Sequence, residues 1–264
     1  MINVKVNELY YDYNSNTPAR IKALDHVSFQ AGPGEVVGLI GPTGSGKSCL
    51  LRCLAGVLKP QAGKIEFAVA PEDNSVQTGL IIQEPEQQFF ASTVFEEVAY
   101  ALTVRGHTGS AVHETVERVL EWVGFQGNLN SSPFRLSGGQ QRRVAIASIL
   151  VMEPMLLLLD EPTVGLDQSG LAMIRALIDQ YRQQKRTVII VSHDLDFLYQ
   201  MVDRYLVLVK GELRADFKRA ELSKFVEVLS ANGIAIPELV ELQQRNLPDD
   251  IHEYISLSLN GKYK

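Results

Sequence analysis

The sequence predicts an α/β fold: a mainly parallel sheet, an antiparallel β part at the N-terminus, a helical insertion and a short helical C-terminal appendage. Three observations carry this expectation. Apolar runs recur without polar alternation, and continuous Val/Ile/Leu runs fit strands covered on both faces. Helical patterns separate those runs, as in a parallel sheet with crossover helices. The opening stretch INVKVNELYY alternates instead, as a half-exposed strand does.

In chain order, EVVGLI (35–40) is the first buried strand, followed by a glycine-rich turn and a helix through KSCLLRCLAGVL. GLIIQ (79–83) is the second strand and LLLLD (156–160) the third. TVIIVSHD (187–194) is the fourth, and RYLVLVKGE (204–212) is expected as a single fifth strand. Between Gln83 and Pro154 no strong strand pattern appears. TVFEEVAYALTV, VHETVERVLEWVGF and the stretch after LSGGQ read there as a helical insertion, about 84–153. Past residue 214 the sheet pattern ends, and 215–264 reads as short amphipathic helices broken at Gly233, Pro237 and Pro248.

The chain has 264 residues, 45% hydrophobic and 21% charged, which suits one large domain or a domain with an appendage. A net charge of −6 does not suggest a nucleic-acid partner. No stretch reaches the roughly 18 apolar residues of a membrane span. The N-terminus carries Asn, Lys and Glu early and does not read as a signal peptide, so a cytoplasmic protein is expected. Cys49 and Cys53, one helical turn apart without companion histidines, read as small buried hydrophobes rather than a zinc site or a disulfide.

GPTGSGKS (41–48) fits the pattern G-x-x-x-x-G-K-[ST] between a strand and a helix, the setting that phosphate binding requires and the mark of a P-loop NTPase core. Gly41, Gly44 and Gly46 let backbone N–H groups close round phosphate oxygens, and the helix behind them aims its positive end at the same place. Lys47 supplies a mobile charge for the β and γ phosphates, and Ser48 offers a hydroxyl to Mg²⁺. Asp160 ends a buried strand at the carboxyl edge of the sheet, where ligands bind in such folds, and can hold Mg²⁺ directly or through water. Glu161 follows it and is free to orient or deprotonate an attacking water. His193 lies just past another strand at that edge, where an imidazole can donate to a γ-phosphate or hold the water. A lone histidine there is more often structural. Gln83 reaches the same edge, where its amide can bind Mg²⁺ or water and sense the γ-phosphate.

LSGGQ (136–140) poses a different question. Two glycines open a good helix, although glycine there costs about 1 kcal/mol against alanine. A simple turn is one explanation. The other is a second anion-ready helix start, with Ser137 as N-cap and bare backbone at Gly138 and Gly139. One triphosphate hardly needs two such cradles from one surface, so a second copy of the chain could supply one of them.

With these motifs in this order, followed by VGLD (164–167) and His193, the chain resembles the ATP-binding cassette (ABC) family over residues 1 to about 215. The resemblance implies an ABC ATPase domain at 1–214 and a C-terminal extension at 215–264. It implies a head-to-tail dimer with an identical or paralogous ATPase. Each ATP, with Mg²⁺, would lie between Gly41, Pro42, Thr43, Gly44, Ser45, Gly46, Lys47, Ser48 and Cys49 of one chain and Ser137, Gly138, Gly139 and Gln140 of the other. Asp167 belongs to the segment crossing the dimer centre. A tyrosine near the N-terminus should stack on adenine; Tyr13 fits best by position, with Tyr11 or Tyr10 as alternatives.

QEPEQQFFASTVFEEVAYAL, RRVAIAS and the tail IPELVELQQRNLP are similar to the ATPase subunits of energy-coupling factor transporters, which import vitamins or Co/Ni ions. That implies an integral membrane coupling subunit, a separate substrate-binding membrane component and a place on the cytoplasmic face of the membrane. Cys49 departs from the threonine usual in the family, and Gln168 from a common proline; neither is a phosphate-handling position. The competing readings are a soluble ABC ATPase acting on DNA or ribosomes, which usually carries a long coiled coil or two cassettes, and a P-loop kinase, in which LSGGQ has no role.

Overall fold

The structure, a computed structural model, describes residues 2–15, 17–69, 78–238 and 240–241. Strands β1 (Ile2–Tyr13), β2 (Ile21–Ala31) and β4 (Ala62–Val69) form an antiparallel sheet in the order β2-β1-β4. Strands β3 (Val36–Ile40), β5 (Thr78–Ile81), β6 (Leu156–Asp160), β7 (Thr187–Val191), β8 (Arg204–Val209) and β9 (Glu212–Lys218) form the second sheet, in the order β5-β6-β7-β3-β8-β9. Every pairing in that sheet is parallel except β8 with β9. Register sets Leu39 opposite Leu206 and Leu158 opposite Ile189.

The continuous apolar runs divide by strand alternation. Val37, Leu39, Leu156, Leu158 and Ile189 pack towards α1 (Lys47–Leu54) and the antiparallel sheet. Val36, Ile40, Leu157, Leu159 and Ile190 pack towards α2 (Val94–Val104), α3 (Ser110–Trp122), α4 (Gly138–Leu150) and α5 (Gln168–Gln183). All five residues of β3 and of β7 are buried, and each Val, Leu or Ile side chain among them contributes about 1.5–3 kcal/mol through lost apolar contact with water. Cys49 and Cys53 are free thiols in the first of these two core clusters.

No strand lies between β5 and β6 among the described residues, as the helical reading of 84–153 expects. Thr93 opens α2 with a capping box: Glu96 N donates to Thr93 Oγ1 at 3.1 Å, and Thr93 N donates to Glu96 Oε2 at 3.1 Å. Asp167 caps α5 by accepting from Gly170 N at 2.7 Å, and Asp194 caps α6 (Leu195–Met201) by accepting from Phe197 N at 2.8 Å.

The C-terminal third differs from expectation. RYLVLVKGE is two strands, because Lys210 (φ 50°) and Gly211 (φ 84°) both take left-handed backbone and fold β9 back on β8. The sheet therefore runs to Lys218, and a boundary at 214 falls inside β9. A 3₁₀ stretch (Arg219–Phe225) and α7 (Val226–Ala231) follow. Phe225 stacks on Phe217 at 4.0 Å, and Leu222, Leu229, Ile234 and Val240 join the core over the helical side of the sheet. The segment after 214 is built into the domain as far as it is described. Pro248 and most of IPELVELQQRNLP lie outside the described residues. Among the described residues, no helix is long and apolar enough to cross a membrane.

Candidate functional site

The carboxyl ends of β3, β5, β6 and β7 lie side by side, so the loops that leave them share one edge of the sheet. The strands stop earlier than the sequence suggests: β5 ends at Ile81 and β7 at Val191, which places Gln83 and His193 on loops. A groove of about 410 Å³ opens here. Thr43 to Cys49, Gln83, Asp160, Glu161, His193 and Tyr13 all line it.

Residues 41–46 form a loop that their own neighbours require to be glycine-rich. A Cβ on Gly41 would lie 2.0 Å from the Leu208 carbonyl oxygen, and one on Gly46 would lie 2.2 Å from that of Ala23. Gly46 also takes φ +104° as the N-cap of α1. Buried Lys47 donates from Nζ to the carbonyl oxygens of Gly41 (2.7 Å) and Pro42 (3.0 Å). Burial pulls its pKa down, against the opposing pull of Glu161 and Asp160. Its ammonium is therefore poorly solvated and held at the loop, where a phosphate is a better partner than two carbonyls.

Glu161 leaves β6 with left-handed backbone (φ 51°), and its N–H donates to Val191 O at 2.9 Å. Its Oε2 accepts from the His193 backbone N–H at 3.2 Å, and its Oε1 lies 3.4 Å from His193 Nε2. Oε1 is buried and makes no hydrogen bond among the described residues. Burial raises the Glu161 pKa more than the His193 hydrogen bond and charge lower it. A carboxylate shifted upward, lining this groove and with one oxygen not engaged in a hydrogen bond among the described residues, is suited to accepting a proton from water.

The three candidate tyrosines separate. Tyr13 lines the groove. The Tyr10 hydroxyl donates to Asp12 Oδ2 at 2.8 Å, and Tyr11 packs edge-on against Tyr13 at 5.0 Å. Arg52, on α1, also lines the groove and was not singled out from sequence, where it reads as an ordinary exposed helix residue.

Ser137, Gly138, Gly139, Gln140 and Asp167 do not join this groove. They line a second one, of about 580 Å³, between α4, the start of α5 and the loop after β5. Among the described residues, Gln83 alone lines both. Ser137 N donates to Gln140 Oε1 at 3.3 Å, so Gln140 helps to close the first turn of α4. At Gly138 and Gly139 an added Cβ would meet nothing within 4 Å, and both residues are exposed. The chain's own packing gives no reason for glycine at either position. Sequence reasoning also missed Arg142, a buried arginine that donates to Val164 O and Pro162 O, each at 3.0 Å.

Comparison with known proteins places this arrangement. Residues 24–164 match the family model described as ABC transporter. An energy-coupling factor transporter ATP-binding protein EcfA2 from Acetivibrio thermocellus is 37% identical over 252 residues, covering 92% of this chain and 90% of that protein. EcfA from Methanothermobacter thermautotrophicus is 37% identical, covering 92% and 79%. The structure of cbiO1 from Clostridium perfringens, part of the ABC transporter complex cbiONQ, superposes with a TM-score of 0.71 at 31% identity, covering 92% of this chain and 98% of that one. The ATP-binding cassette MJ0796, a dimer bound to ADP and Pi, superposes with a TM-score of 0.70 at 27% identity, covering 82% and 98%. On the glycine loop, the split second groove and these relatives together, the chain belongs to the ABC transporter family as an ATP-hydrolysing subunit of the energy-coupling factor type.

Proposed function

We propose that two such ATPases close head to tail, each ATP lying between the glycine loop of one chain and Ser137, Gly138 and Gly139 of the other. The observation that carries this reading is the open space over Gly138 and Gly139. Glycine is costly in a helix, nothing among the described residues requires it there, and a phosphate from a second chain would. The second subunit is identical to this one or a paralogue.

Within a closed site, the backbone of 41–46 and Lys47 hold the phosphates, and Tyr13 stacks on the adenine. Ser48, Asp160 and Gln83 line the same groove and offer hard oxygen donors, which suit Mg²⁺. Mg²⁺, when bound, would neutralise phosphate charge during hydrolysis. Glu161 takes the proton of the attacking water through its free Oε1. His193 holds the water or donates to the γ-phosphate, and Gln83 reports phosphate occupancy to the second groove.

One face of this chain suits a membrane partner. Phe90 and Phe134 are exposed, and Phe90 packs edge-on against exposed Tyr100 at 4.6 Å. Buried Glu97 fixes the Phe90–Ala91 turn by accepting from both backbone N–H groups, at 3.0 and 2.9 Å. Exposed aromatics held on a rigid turn suit a coupling helix of an integral membrane subunit. That subunit would hold the ATPase at the cytoplasmic face, and a separate membrane component would bind the cargo. The energy-coupling factor resemblance supports vitamins or Co/Ni ions as the cargo class.

Complementation tests the composite site. A mixed dimer of Gly139→Asp with Lys47→Ala puts both lesions in one site and leaves the other intact, so ATP-dependent closure persists. With both lesions on one chain, each site carries one and closure is lost. Identical behaviour of the two arrangements would overturn the reading.

A further inference from the structure

Arg142 sits on α4 with its side chain in the second groove, only 8% exposed. Two of its three guanidinium nitrogens hold the carbonyl oxygens of Pro162 and Val164, both at 3.0 Å. Those carbonyls belong to the segment joining Glu161 to Asp167. The third nitrogen, Nε, is buried and has no hydrogen-bond partner among the described residues. Glu86, three residues past Gln83, lines the same groove, and its Oε2 is also buried without a partner among the described residues.

A buried donor on a cation and a buried acceptor on a carboxylate, both unpaired in one groove, are costly apart and favourable together. Burial lowers the Arg142 pKa, and among the charges acting on it Glu86 comes first, then Glu84. The two carriers are separately placed: Glu86 rides on the short 3₁₀ turn (Pro85–Gln88) after Gln83, and Arg142 on α4 behind Ser137. The two carbonyl bonds use Nη1 and Nη2, which leaves Nε for a second partner in the same groove.

We propose that Arg142 and Glu86 are positioning residues that form an ion pair when phosphate draws Gln83 inwards, locking the Glu161–Asp167 segment and the start of α4 into the hydrolytic arrangement. Neither touches nucleotide. The pair links the loop that senses this chain's own phosphate to the helix start that meets the partner's. The proposal rests on the roles proposed above for Gln83 and Glu161.

The test uses the complex purified through a tag on this chain, with ATP as the probe. Glu86→Gln should lower kcat about tenfold, the scale of one charged hydrogen bond, and Arg142→Lys, which also gives up carbonyl bonds, at least as much, with KM for ATP within about twofold. The double variant should fall no further than the worse single, because each single already removes the same ion pair. Glu86→Asp, which keeps the charge, should recover part of the loss. The melting point of the nucleotide-free chain should not fall with Glu86→Gln, whose Oε2 has no partner to lose among the described residues. Wild-type kcat for Glu86→Gln overturns the proposal. So do losses that multiply to about a hundredfold in the double variant, or a loss confined to KM. If Arg142→Lys fails to fold, the Glu86 variants decide alone. Glu161→Gln separates the two levels: if it still turns over, the parent reading fails, whereas a silent Glu161→Gln beside an unaffected Glu86→Gln sinks only the pair.

Discussion

Gly139→Asp separates a demand of the chain from a demand of its partner. The added Cβ has nothing within 4 Å, and residue 139 sits in the first turn of α4. Replacing glycine removes a helix penalty of a few tenths of a kcal/mol, and a carboxylate at a helix N-terminus gains about 0.3–1 kcal/mol. The isolated chain should therefore melt at the same temperature or slightly higher. Its single-chain ATP affinity should stay near wild type, since residues 41–48 are untouched. Across the proposed interface the same carboxylate meets phosphate. At about 4 Å and an effective dielectric of about 20, each unit of phosphate charge costs about 4 kcal/mol, or roughly a thousandfold in closure. The assays are thermal melting, nucleotide binding by the separate chain, and light scattering with ATP turnover for the dimer. A large fall in melting temperature would show that glycine serves the fold. Unimpaired dimerisation and turnover would show that nothing approaches residue 139.

The remaining predictions follow the same geometry. Glu161→Gln should bind ATP but hydrolyse it at least about 100-fold more slowly and accumulate as the ATP-bound dimer; near-normal turnover of the complex rules out its role. Because burial raises the Glu161 pKa, the base is lost at a higher pH than for a free glutamate. The acid limb of kcat/KM for ATP, which reports the free enzyme, should therefore stand above the ordinary carboxylate range, and a limb inside that range contradicts the assignment. Gly46→Ala should lower stability by about 2 kcal/mol or more and abolish nucleotide binding, because its Cβ would collide with the Ala23 carbonyl at positive φ; a normal melt with normal binding counts against it. Phe90→Glu should preserve nucleotide binding and folding while cutting transport relative to ATP hydrolysis, and unchanged coupling would exclude that face as the docking surface.

The local chemistry was legible in the sequence because it depends on residues adjacent in the chain. The glycine loop, the acid pair after LLLLD and the capping serine before two glycines each combine residue type with a strand-to-helix or turn-to-helix junction, and short apolar runs carry their own length and burial. The hairpin at Lys210–Gly211 was hidden because lysine is an uncommon partner in such turns and the returning strand, ELRADFK, is largely polar and exposed. β2 and β4 were not read individually, although VSFQA and KIEFAV alternate as β1 does; only their pairing on either side of β1 shows them as one sheet. Tertiary structure alone decided which tyrosine reaches the glycine loop, because Tyr10, Tyr11 and Tyr13 sit within one irregularly paired strand whose register shifts between Val6 and Asp12. It alone divided the candidate residues between two grooves joined at Gln83, a separation set by strand order rather than by sequence spacing. It alone disclosed Arg142, whose meaning lies in two carbonyls some twenty residues away and in the one nitrogen they leave unpaired.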